Sequence, residues 1–175
     1  MLVSELHSGE CYELLARLGF GRLACARKNQ PYIVPIYFAY EPNFLYGFAT
    51  MGKKIDWMRS NPLVAVEADE VKSHIEWTSV VVEGHYEEFP EEPEFAVARQ
   101  QAQSALEKRA LWWQTGVAAA QIRGHIKQDL TIYYCIHIDE ISGHRAIPDP
   151  VEASFEAASK KSAMRPHRRV PLTHV

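Results

Sequence analysis

The chain has 175 residues, a formal net charge of -3 and a hydrophobic fraction of 47%. That length and composition fit one globular domain with a core needing no disulfide or metal staple, and they exclude collagen, coiled-coil and wholly disordered architectures. The slightly acidic balance excludes a global basic field for nucleic acid, and no apolar run reaches the roughly 20 residues that span a bilayer. Glu5 and Glu10 interrupt the N-terminal stretch, so it does not read as a signal peptide. The three cysteines, Cys11, Cys25 and Cys135, form no CxxC pair, which points to a reduced, cytoplasmic protein.

In chain order, Leu6, Cys11, Leu14, Leu15 and Leu18 recur near the helical period. They predict a helix over 4–18, capped by Ser4 or Ser8 and stopped by Gly19 and Gly21. GRLACAR (21–27) alternates, with Leu23 and Cys25 on one face and Arg22 and Ala24 on the other, and reads as a strand. Asn29-Gln30-Pro31 reads as a turn into a second strand, YIVPIYFAY (32–40), whose Pro35 belongs at a sheet edge or bulge. Glu41-Pro42-Asn43 turns the chain into FLYGFAT (44–50), so two hairpins follow one another as in an antiparallel meander. Ile55 and Met58 then predict a short amphipathic helix within 51–62, ended before Pro62.

LVAVEAD (63–69) reads as a fourth strand. EWTSVVVEGHYEEF (76–89), rich in β-branched and aromatic residues, reads as a fifth with a bend at Gly84. Residues 93–109 read as a helix with Phe95, Val97, Ala98, Ala102, Ala105 and Leu106 on its apolar side. Residues 110–129, which hold Trp112 and Trp113, take no single assignment. LTIYYCIHIDEISG (130–143) is the sixth strand, with Ile132, Tyr134, Ile136 and Ile138 in alternation. The expected organisation is one domain over 1–148 and a loosely ordered basic tail over 149–175. A barrel closes the edges that a six-stranded meander leaves open. The expected fold is therefore mainly β (α+β): a six-stranded antiparallel β-barrel with short peripheral helices.

The stretch FATMGKKID (48–56) carries the strongest chemical signal. A strand ends in Thr50, a loop with Gly52 follows, and Lys53 and Lys54 open a helix. Backbone N–H groups, a hydroxyl and two ammonium groups suit a phosphate. Equally, paired lysines can be a solvated surface, and no Walker loop is present. WTSVVVEG (77–84) puts Trp77, Ser79 and Val81 on one face of a strand and Thr78, Val80 and Val82 on the other. The eight histidines show no recognised metal spacing with a nearby Cys, Asp or Glu, so no metal site is expected. Nucleophilic hydrolysis lacks a GxSxG motif or an activated cysteine. Trp112 and Trp113, with Arg109 nearby, suit either a planar ligand or a core or dimer contact.

In combination, the G-R-L run (21–23), the strand Pro35-Ile36-Tyr37-Phe38, the G-K-K-I-x-x-M-R-x-N-P signature (52–62) and W-x-S-V-V-V-x-G (77–84) are specific. Together, over residues 8–145, they resemble the pyridoxamine 5'-phosphate oxidase-like flavin-binding proteins, and within them the nitroimidazole-resistance-type branch. The resemblance implies a split β-barrel, usually a homodimer, with FMN, or in some members FAD, at the interface. It implies that Pro35, Ile36, Tyr37 and Phe38 line the isoalloxazine ring and that Phe48, Ala49 and Thr50 follow the ribityl chain. Lys53 and Lys54 would hold the phosphate, and Trp77, Thr78, Ser79 and Val80 would complete the pocket. Trp112 or Trp113 would close it from a partner subunit.

The implied activity is a flavin-dependent oxidoreductase with a small-molecule electron donor or acceptor. A flavin-storage or redox-responsive module is the alternative, as is a haem- or deazaflavin-binding relative. Two departures stand out. The strand LYGFAT lacks the histidine that many nitroimidazole-resistance-type proteins carry there, and the C-terminal basic motif of true vitamin B6 oxidases is absent. The resemblance therefore does not extend to a vitamin B6 enzyme, and no side chain in the motifs is an obvious catalytic acid or base.

Overall fold

A computed structural model describes residues 1–109 and 131–149. Trp112, Trp113 and the tail from residue 150 lie outside the described residues. The elements are β1 (Leu2–Glu5), α1 (Ser8–Arg17), β2 (Phe20–Arg27), β3 (Gln30–Tyr37), β4 (Ala39–Glu41) and β5 (Phe44–Ala49). They continue with α2 (Lys53–Ser60), β6 (Leu63–Ser73), β7 (Glu76–Phe89), a 3-10 turn (Pro93–Phe95), α3 (Ala96–Glu107) and β8 (Ile132–Ile147).

All strand pairs are antiparallel, in the order β3-β2-β6-β7-β8-β5-β4, with β1 added on β8. The sheet's two ends, β3 and β4, are successive pieces of one run of chain, and β3 also lies against β5. The sheet thus curls on itself into a split barrel with short helices around it. The strand count is eight rather than the expected six, for two reasons. The run 32–40 breaks at Phe38, whose N–H leaves the ladder and donates to the Gly19 carbonyl at 3.0 Å. Residues 2–5, with Ser4 and Glu5 among them expected to open a helix, pair instead with 144–147 of β8. Helix α1 therefore begins later, with His7 as its N-cap and the His7 N–H donating to Glu10 Oε2 at 3.0 Å, not with Ser4 or Ser8.

The first hairpin turns at Lys28-Asn29 rather than at 29–31, since Arg27 pairs with Gln30. Both turn residues have positive φ, 53° and 61°, the geometry whose twist matches a two-residue hairpin. Pro35 lies on β3, at the end of the strand order, where a missing donor costs little. Inside the barrel, Leu23, Phe38, Val66, Val80, Val82 and Tyr134 pack with Ile55 and Met58 of α2 and Leu14 and Leu15 of α1. A second core lies between α3 and the outer face of β5 and β8, where Ala102, Ala105 and Leu106 cover Tyr46 and Cys135. Among the described residues no helix is long and apolar enough to cross a membrane.

Candidate functional site

The loop from β5 to α2 and the inward face of β3 enclose a pocket of about 260 Å³. Its walls are Tyr32, Val34, Ala49, Thr50, Met51, Gly52, Lys53, Lys54 and Ile55. Alternation along β3 explains the aromatic wall: Tyr32, Val34 and Ile36 share the face opposite Ile33, Pro35 and Tyr37. Helix α2 starts at the pocket because the chain is extended at Gly52 and turns into a helix at Lys53. Ile55 and Met58 anchor the helix in the barrel core. Asn61 ties down its far end by donating from Nδ2 to the Ala26 carbonyl at 3.0 Å.

Among the described residues no side chain caps the start of α2, which leaves its first-turn N–H groups without a side-chain acceptor there, at the positive end of the helix dipole. The two lysines add full charges. Lys53 Nζ lies 4.2 Å from the Tyr32 ring centre and 4.5 Å from that of Trp57. Those rings meet each other at 5.5 Å, and Arg27 approaches Trp57 at 5.8 Å. Lys54 is half-buried, and desolvation pushes its ammonium below its ordinary pKa. Burial pushes the neighbouring Cys25 thiol up, against the opposing pull of both lysines. Among the described residues neither lysine has a carboxylate partner, although eight ion pairs of arginine, lysine or the N-terminal amine are found elsewhere on the surface. The half-buried Lys54 and the exposed Lys53 thus stand at a helix start without a side-chain cap or a carboxylate partner among the described residues, an arrangement chemically suited to an anion.

The structure brings together Ala49, Thr50, Lys53 and Lys54 and distributes the remaining expected residues. Ile36, Phe38 and Val80 are buried in the barrel core at 4%, 1% and 0% exposure. Pro35 and Tyr37 stand on the outer face of β3. Phe48 packs toward the second core under α3. Trp77, Thr78 and Ser79 are half-buried on β7, separated from β3 by β2 and β6. Arg109, which precedes Trp112 and Trp113 in the sequence, donates to the Leu18 and Ala16 carbonyls, closing the end of α1.

Sequence reasoning missed Tyr32, Val34 and Trp57. The signals were present: stepping back by twos from Ile36 reaches Val34 and Tyr32, and Trp57 is four residues after Lys53, one helical turn away. It also missed that Glu87, Cys135 and His137 converge on the outer face of β7 and β8. Their spacing of 48 and 50 residues from Glu87 hides the convergence from a motif scan.

Residues 7–145 match the family profile described as pyridoxamine 5'-phosphate oxidase. An uncharacterized protein of Rhizobium meliloti (strain 1021) is 40% identical over 146 residues, which is 83% of this chain and 97% of that protein. The crystal structure of a FAD-binding protein from Mesorhizobium loti is 40% identical, with a TM-score of 0.68 over 85% of this chain and 99% of that one. The FAD binding protein of Mycobacterium smegmatis has a TM-score of 0.59 at 22% identity, covering 82% of this chain and 100% of that one. At that identity the likeness speaks to the fold alone.

Proposed function

The chain belongs to the pyridoxamine 5'-phosphate oxidase family, and from that premise we propose that it binds a flavin by its phosphate and serves as a flavin-dependent oxidoreductase toward a small organic or nicotinamide partner. The observation that carries the proposal is the pocket at the start of α2, where Lys53 and Lys54 lack a carboxylate counter-charge among the described residues. A phosphate there would take the free N–H groups of the first turn and both ammonium charges, with Thr50 as a further donor. The residues fit the group: the donors are all of the sign and type that a dianion needs.

The pocket's size supports a division of labour. About 260 Å³ holds a phosphate and part of a ribityl chain, whereas whole ligand sites run to roughly 300–1,000 Å³. The ring would then leave the pocket around the edge strand β3 and reach its outer face, where Ile33 is 65% and Tyr37 46% exposed and the Phe20 and Tyr37 rings meet at 5.0 Å. A second copy of the chain covering that surface would complete the slot, so we propose a homodimer with the flavin at its interface. Both FMN and FAD carry the required phosphate; the name of the Mesorhizobium loti relative weighs toward FAD. A bound flavin supplies the redox chemistry by accepting or passing on a hydride or electrons. The chain's part is to hold the phosphate, orient the ring and shield it from water.

The test is the visible spectrum of freshly purified protein, followed by chromatography of the released chromophore and by addition of NADH or NADPH. Flavin bands, release of FMN or FAD, and bleaching by the nicotinamide with turnover of an added acceptor are expected. Bound flavin without reduction by any donor would leave a storage module. A colourless protein that takes up neither flavin would overturn the proposal.

A further inference from the structure

We propose that Glu87, Cys135 and His137 form a site for a zinc-type divalent cation on the outer face of the β7–β8 pair. The site uses no residue of the lysine pocket and stands independently of the flavin reading. One ligand atom from each residue lies within 4.8 Å of the other two. Glu87 Oε2 is 2.6 Å from His137 Nε2 and 3.9 Å from Cys135 Sγ. The register explains the convergence: Glu87 stands directly opposite Cys135, and His85 directly opposite His137. Residues at alternate positions of paired strands share a face, so all four side chains meet there.

The site sits on two paired strands rather than on a loop, and its imidazole is held in place. The His137 ring stacks on His85 at 4.3 Å and 8°, and Phe44 meets its edge at 5.0 Å. His85 is itself tied to Asp139, its Nδ1 2.9 Å from Oδ2. These ring contacts fix the plane of the His137 imidazole. Cys135 forms the floor at 1% exposure, while the side chains of His137 and Glu87 are 31% and 47% exposed. A cation can thus approach from outside, and three protein ligands leave one tetrahedral position for water.

The donor set selects the ion. A thiolate, an imidazole and a carboxylate suit zinc and its neighbours, and calcium or magnesium would reject the sulfur and nitrogen. With ligand distances of about 2.0–2.3 Å, the N···O separation must open to roughly 3.3 Å and the S···O separation close to roughly 3.6 Å. Without a cation, burial and the Glu87 carboxylate push the Cys135 thiol up to about 12, so the sulfur carries a proton. Coordination replaces that S–H bond with an S–metal bond and releases one proton to water; no electron is transferred.

The test titrates the full-length, untagged, thiol-reduced and chelator-stripped chain with Co²⁺, then with Zn²⁺. Binding of one equivalent is expected, with visible bands of tetrahedral cobalt and a near-ultraviolet thiolate-to-cobalt band, all bleached by zinc. Cys135→Ser should abolish the thiolate band, and Glu87→Gln and His137→Asn should each weaken binding at least tenfold. His74→Gln, altering an exposed histidine in the β6–β7 turn, should bind as wild type. Absence of the thiolate band, its survival in Cys135→Ser, or wild-type affinity in Glu87→Gln and His137→Asn would overturn the site. Glu87 is exposed, so its variant keeps the test decisive even if Cys135→Ser fails to fold.

Discussion

The Lys53 ammonium stands between two aromatic faces, 4.2 Å from the Tyr32 ring centre and 4.5 Å from that of Trp57. A long flexible cation loses rotamer freedom when it binds an anion, and these rings remove part of that freedom beforehand. A charge-assisted contact to the proposed flavin phosphate is worth about 1.5–3 kcal/mol. Lys53→Met and Lys54→Met should therefore each weaken flavin binding by about 10- to 100-fold, measured by quenching of flavin fluorescence. For flavin binding, Trp57→Leu removes the cation–π contact to the exposed Lys53, worth about 0.5–1 kcal/mol, and should cost about two- to fivefold. Wild-type affinity in the Lys53, Lys54 double variant would remove the phosphate clamp.

Lys54 also yields a stability prediction. Burial holds its folded pKa below the ordinary lysine value. The unfolded chain then binds more protons than the folded one in the window between the two values. Stability rises with pH across that window, and the full penalty of the buried charge is present below it. Lys54→Met should therefore stabilise the flavin-free protein at neutral pH. Its advantage over wild type should shrink as the pH climbs toward about 10.4, the ordinary lysine value. Urea midpoints of both proteins between neutral pH and pH 10 measure this. Destabilisation by the substitution at neutral pH would show that the ammonium is already compensated.

Arg59 and Glu88 act in the opposite direction. The Arg59 guanidinium donates through Nε and Nη2 to both Glu88 oxygens at 2.8 and 2.7 Å, and the Tyr86 hydroxyl donates to Oε2 at 2.8 Å. The pair joins α2 to β7 and so braces the helix that carries the lysines. The Arg59 hydrogen bonds, above all, hold the Glu88 carboxyl below its usual range. A depressed carboxyl pKa contributes stability that is complete above the unfolded value and is lost as the pH falls through the folded one. Glu88→Gln should cost on the order of 1 kcal/mol at pH 7, because Arg59 is partly exposed and its charge is screened. The cost should vanish in acid. A difference from wild type that does not shrink at all as the pH falls below about 4.3, the ordinary glutamate value, would mean that packing, not charge, holds this joint.

Periodic features of the fold were legible in the sequence, and features set by distant pairing were not. The alternation of Ile132, Tyr134, Ile136 and Ile138 places Tyr134 and Ile136 in the barrel core. Gly84 was legible as a bend: the β7–β8 register shifts between Glu83 and Gly84, and a Cβ there would lie 1.9 Å from the His137 carbonyl oxygen. The break at Phe38 was not legible, because it is set by an acceptor at Gly19 and by closure of the sheet. β1 was equally hidden: its residues are exposed and gain their partner from the far end of the domain. At the site, Lys53 and Lys54 announced themselves by composition. The dispersal of Pro35, Ile36, Tyr37 and Phe38 over two faces follows from strand alternation, which a linear motif ignores. The meeting of Glu87 with His137 needed the register itself.

Tyr134 supplies the last prediction. Its ring packs so tightly on β5 that a Cβ at Gly47 would lie 2.4 Å from Tyr134 Cζ. Its hydroxyl is fully buried and has no hydrogen-bond partner among the described residues. Burial alone pushes its pKa up, so the group stays neutral at any ordinary pH and holds no charge that could repay its desolvation. An unsatisfied buried hydroxyl costs about 1–3 kcal/mol, and phenylalanine keeps the ring. Tyr134→Phe should therefore match or exceed wild-type stability, raising Tm by about 2–4 °C for each kcal/mol recovered. Gly47→Ala should do the reverse, since its methyl has no room without displacing the ring. Calorimetry of the two variants decides it: a loss of more than about 1 kcal/mol in Tyr134→Phe would show that the hydroxyl is hydrogen-bonded in solution, a buried water being the simplest acceptor.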